Sequence, residues 1–138
     1  MNKSLEKANR KSFAWGRWIS LYCAVSFAVL GLDAAINHLS VLESNPFSFV
    51  PLIFTIPAIA LSLAAVFSSR WRRLAWIIGL LGVSVGLAGT LFHNITTLLE
   101  AGDMGYIEAL VYALRPPLAP FAFASTGVLM LLVTLAER

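Results

Sequence analysis

Four stretches of this chain are apolar almost without interruption, and short polar segments separate them. They run from Trp18 to Leu42, Phe47 to Phe67, Leu74 to Leu99 and Pro116 to Ala136. A helix rising about 1.5 Å per residue needs about 20 such residues to cross a hydrocarbon core, and each stretch meets that requirement. The runs are continuous rather than alternating, which disfavours the strands of a membrane barrel. The pattern therefore predicts an all-α polytopic membrane protein. It would comprise a basic N-terminal segment, residues 1–17, and one four-transmembrane-helix bundle, residues 18–138.

A different pattern fills the gap before the last stretch. Ile107, Leu110, Val111 and Leu114 fall at i, i+3, i+4 and i+7, which makes one apolar stripe. Asp103 is placed to cap and Pro116 to stop a short helix over residues 104–115. Such a helix would lie in the outer interface; the competing reading is a wet extension of the fourth span.

Composition removes the soluble alternatives. Only 12% of residues are charged and 59% are hydrophobic, with mean hydropathy +0.81. A soluble domain carries about 25% charged residues, and a disordered chain is polar rather than apolar. The few charges are sorted along the chain. Lys3, Lys7, Arg10, Lys11, Arg17, Arg70, Arg72, Arg73 and Arg138 fall on one side of the expected spans, and Arg115 alone on the other. The positive-inside rule makes the first side cytoplasmic and places both termini there. Trp15, Trp18, Trp71 and Trp76 gather at that boundary, where indole rings prefer to sit. Anionic lipid beside these flanks accounts for the net charge of +3 and the pI near 9.4. The partners expected are thus the lipid bilayer and further membrane subunits or copies of the chain, with no nucleic acid. The charge bias and compactness point to the bacterial inner membrane. The basic start also resembles a secretory n-region. A cut after Asp33-Ala34-Ala35 would put Asp33 where a small residue is needed, so the segment is expected to be retained.

The spacing hints at a duplication. Gly31 and Gly86 are offset by 55 residues, as are His38 and His93, while Pro51-Leu52 and Pro117-Leu118 are offset by 66. The reading is two tandem helical hairpins in the same direction, related by an axis along the membrane normal, with an insertion in the second.

His38 and His93 are the only histidines, and each lies about 28–30 Å of helical rise above the cytoplasmic end of its span. Each tops a stripe of small residues: Ala24, Ala28, Gly31 and Ala35 below His38; Gly79, Gly82, Gly86 and Gly89 or Thr90 below His93. Such stripes let helices approach closely. If the stripes face one another or a common flat ligand, the imidazoles converge. Imidazole binds haem iron and transition metals. The cofactor expected is haem b or another tetrapyrrole, with Gly31 and Gly86 making room, or a transition metal completed by Glu43 and Glu100. The bland alternative is a pair of interfacial histidines bonded to backbone.

Asp33 lies about 7.5 Å of helical rise below His38, inside the apolar zone, with Asn37 following at i+4. Ionisable groups at that depth are costly and draw attention as functional. The favoured reading is a hydrogen bond from Asp33 to Asn37 or to a facing Thr or Ser, on a face turned about 140° from His38.

No phosphate-binding loop and no Cys-x-x-Cys-His is present, and the single cysteine, Cys23, excludes an intramolecular disulfide and a redox thiol pair. The sequence assigns no catalytic residue. Three functions follow. The first is a subunit that holds a cofactor through the histidines and serves electron transfer in a larger assembly. The second is an oligomeric proton- or cation-coupled transporter or channel using Asp33 and the histidines. The third is an accessory or scaffold subunit without chemistry.

Overall fold

A computed structural model describes residues 3–39, 45–113 and 120–137. It is all-α among these residues. Helix α1 spans Lys3–His38, α2 Phe49–Phe67, α3 Ser69–Glu100, α4 Tyr106–Ala113 and α5 Phe121–Ala136, with a 3-10 turn at Pro46–Ser48 leading into α2. Three segments are long and apolar enough to cross a membrane: Trp15–His38 within α1, Pro46–Phe67, and Ser69–Glu100. At 16 residues, α5 is shorter and rises about 24 Å; the expected start of its span, Pro116 and Pro117, lies outside the described residues.

Local chemistry sets several boundaries. The Asn45 side chain accepts from the Phe47 amide at 3.1 Å, and Pro46 sits where a helical turn can spare a donor. One extended residue, Ser68, separates α2 from α3. Consequently α3 begins five residues before the expected Leu74, and Arg70, Arg72 and Arg73 belong to its first turns rather than to a loop. Likewise α1 runs unbroken from Lys3, so the basic N-terminal segment continues the first apolar helix.

Helices α1, α2, α3 and α5 form a ring. α1 packs mainly on α2 and α3 on α5, while α2–α3 and α1–α5 contacts close the circle. α1 and α3 stand diagonally and barely meet. Phe27, Phe54 and Phe123, from α1, α2 and α5, fill the centre, with ring centroids 5.6–6.3 Å apart. Small residues occupy the helix crossings. A Cβ on Gly86 would lie 2.3 Å from the Ala124 nitrogen, and one on Gly127 would lie 2.6 Å from the Gly79 oxygen.

Apart from core residues such as Ile78 and Val133, many large aliphatic side chains point the other way. Val29, Ile36, Ile53, Ile56, Leu91 and Leu99 are all exposed around the ring. A soluble monomer rarely leaves so continuous an apolar surface. Lipid is the solvent that suits it, and the chain is an integral membrane protein with a helical bundle.

Candidate functional site

His38 ends α1 and His93 lies seven residues before the end of α3. The diagonal helices come together here: the imidazole centroids are 5.9 Å apart with planes at 80°, and both side chains are half-buried. The surroundings steady α3 at this level. Thr97 Oγ1 donates to the His93 carbonyl at 2.8 Å and Thr96 Oγ1 at 3.1 Å. Phe47, from the turn before α2, packs on Phe92 with centroids 6.3 Å apart. Tyr106, the first residue of α4, donates its hydroxyl to Asn94 Oδ1, and the Asn94 amide donates to the Thr90 carbonyl at 2.6 Å. With Ala101 and Ala109 buried, α4 is held against the end of α3 directly beside His93.

The Tyr106–Asn94 bond should be worth about 1 kcal/mol net. Tyr106→Phe is expected to speed amide exchange across α4 about fivefold while leaving the middle of α3 unchanged. Hydrogen-exchange mass spectrometry reads both, and unaltered α4 exchange would assign the docking to Ala109 alone.

Metal–nitrogen distances are about 2.0–2.1 Å, so two imidazoles on one ion put their centroids about 5–6.4 Å apart, from a tetrahedral to a linear angle. The observed separation falls in that window. Carboxylates do not complete the set among the described residues, where no group of three or more His, Cys, Asp or Glu could hold a metal. Glu100 is exposed two turns beyond His93, and Glu43 lies outside the described residues.

The two glycines below the histidines do not face one another. Gly31 is filled by Thr55 of α2, whose Cγ2 would lie 2.3 Å from an added Cβ, and Gly86 is filled by the Ala124 backbone of α5. The small-residue stripes serve pairwise helix packing within each half of the ring, and they open no slot for a flat ligand at these two positions.

Asp33 and Asn37 lie on the exposed outer surface of α1. The Asn37 amide donates to Asp33 Oδ1 at 3.0 Å and to the Asp33 carbonyl at 2.8 Å. The structure does not bring Asp33 to the histidines.

Sequence reasoning missed the cluster at the opposite end. Arg72 is fully buried: its Nε donates to Glu137 Oε1 at 2.7 Å and its Nη1 to the Ala65 carbonyl at 2.9 Å. Arg17 Nε donates to the Val66 carbonyl at 3.1 Å, and Thr134 Oγ1 donates to the Arg72 carbonyl at 3.2 Å. The last turn of α2 is thereby tied to α1, α3 and α5.

Comparison with known proteins adds no assignment: no family model, no curated protein and no solved structure matches this chain.

Proposed function

We propose that this chain is a small integral membrane subunit that holds a transition metal between His38 and His93 near the outer membrane face, in the service of electron transfer within a larger assembly. One observation carries the reading. Two helices that otherwise stand apart across the bundle bring the only two imidazoles to a centroid separation of 5.9 Å, which suits a shared ion. Water or the segment carrying Glu43 would supply the remaining ligands. Haem b or another tetrapyrrole is less well supported, because Thr55 and Ala124 already fill the spaces at Gly31 and Gly86.

The topology proposed is four spans with both termini cytoplasmic, in the bacterial inner membrane. The sorted basic residues support the orientation. Two tandem hairpins are supported by packing: Gly31 seats α2 against α1, and Gly86, at the offset of 55, seats α5 against α3.

The test is titration of the purified protein in detergent with Co(II) and Cu(II), followed by absorption and metal analysis. One ion per chain is expected, with imidazole-to-metal bands. Changes outside the ligand shell cost about 10–100-fold in affinity, so His38→Ala and His93→Ala should each weaken binding by at least about 100-fold. Stoichiometric binding that survives the double substitution would defeat the proposal, as would no binding at all. A Soret band after haem addition, lost in both variants, would replace the metal with a tetrapyrrole.

A further inference from the structure

A polar stripe climbs the outside of α1. Tyr22, Ser26, Asp33 and Asn37 fall within a sector of about 60° around the helix; Ser26 is half-buried and the other three are exposed. Asp33 is the only Asp, Glu, Lys or Arg in the four apolar stretches from Trp18 to His38, Phe49 to Phe67, Leu74 to Leu99 and Phe121 to Ala136. It stands about 22 Å of helical rise from Trp18, short of the outer boundary of a core about 30 Å thick. A carboxyl at that depth is costly against lipid chains and is met by polar groups of protein.

We infer that this stripe is the docking surface for a second copy of the chain, paired about a two-fold axis along the membrane normal. The local chemistry is self-complementary. The Asn37 amide already donates to Asp33 Oδ1 within the chain. Its other N–H rests on the Asp33 carbonyl at 2.8 Å, an oxygen that already accepts the helical amide bond of Asn37, so this N–H can turn to a neighbour without leaving the carbonyl unpaired. Asn37 also keeps an acceptor oxygen, and Asp33 a second carboxyl oxygen. In an isologous pair the same patch of each copy meets the other. Both copies then present their stripes at equal depth, and Asn37 of each can donate to Asp33 of the other, twice by symmetry. The match continues toward the inner side, where Tyr22 and Ser26 repeat the i, i+4 pairing with hydroxyls. Interhelical hydrogen bonds of this kind hold transmembrane helices together where apolar bulk gives no net drive. The inference rests on α1 crossing the membrane and is independent of metal at the histidines.

The experiment reconstitutes the full chain, tagged with donor or acceptor fluorophores, into phosphatidylcholine–phosphatidylglycerol vesicles and follows energy transfer as lipid dilutes the protein. Wild type should associate reversibly. Asp33→Leu combined with Asn37→Leu should weaken association by at least about tenfold, two interhelical hydrogen bonds being removed. Cys23 is fully buried, so an introduced cysteine is the reactive one. Under oxidation Tyr22→Cys should cross-link to its own kind, while Leu80→Cys, exposed on α3, should not. Energy transfer absent from wild type would overturn the inference. So would energy transfer unchanged by the double substitution, equal cross-linking at both positions, or capture at Tyr22→Cys of a different subunit in place of a second copy.

Discussion

Gly86→Leu is expected to prevent the bundle from closing. At this crossing the obstacle is backbone: an added Cβ would meet the Ala124 nitrogen at 2.3 Å and its Cα and Cβ at 2.8 Å. Backbone cannot swing aside as a side chain can, so α3 and α5 would have to separate by about 1 Å before even a methyl fits. This is the most extensive helix pair in the fold, and Gly79, Gly82 and Gly127 share the same seam. Overpacking costs about 1–3 kcal/mol and occasionally more, and leucine should reach the upper end, at about 3 kcal/mol or beyond. Gly86→Ala should be milder, since alanine regains about 1 kcal/mol of helix propensity. Gly105 provides the control, because nothing lies within 4 Å of its added Cβ. Unfolding by graded replacement of mild detergent with dodecyl sulfate should therefore rank Gly86→Leu well below Gly86→Ala, with Gly105→Ala near wild type. A Gly86→Leu protein as resistant as wild type would contradict the close crossing.

The sequence shows where this seam lies but not what it joins. Glycines at helical spacing declare a close approach, and they are silent about the approaching partner. Gly31 and Gly86 sit equally far below their histidines, which invites the idea of two stripes converging on one ligand. The structure instead pairs each glycine with a neighbouring helix, Thr55 of α2 and Ala124 of α5, because a ring of four helices gives every member two adjacent neighbours and one diagonal one. That the two histidines share one level of the bundle was legible, since helical rise is a matter of counting. Their 5.9 Å proximity depends on the diagonal meeting, which no local pattern encodes. Asn37 was legible as one candidate partner for Asp33 because i and i+4 share a face, and the structure selects it over a facing Thr or Ser. Burial of Arg72 was not. In the run Arg70, Trp71, Arg72, Arg73 the residue types are nearly interchangeable, and only the one-residue break at Ser68 decides which of them turns inward.

Arg72→Met should produce the second large loss. The helix end it serves has an inherent defect: the last carbonyls of α2 lack intrahelical donors. The chain turns at Ser68 and re-enters a helix at Ser69, so a longer capping loop has no room. Arg72 and Arg17 supply donors to the Ala65 and Val66 carbonyls instead. Arg72 also binds Glu137, whose side chain is 10% exposed. Removing one partner of a buried pair costs about 3–5 kcal/mol when the other is left buried and uncompensated. Glu137 follows the end of α5 and can turn toward water, so about 2–3 kcal/mol is the expected loss for Arg72→Met. Glu137→Gln keeps an acceptor for Nε and should cost about 1 kcal/mol. Arg72→Lys should behave more like methionine than like arginine, because one ammonium cannot reach both the Ala65 carbonyl and the carboxylate as a planar fork does. Combining Arg72→Met with Glu137→Gln should cost less than the two separate losses together, since the pair acts as a unit. Additive losses would show that Arg72 acts through α2's carbonyls alone, which would put the restraint at the α2–α3 turn in the cap rather than in the ion pair.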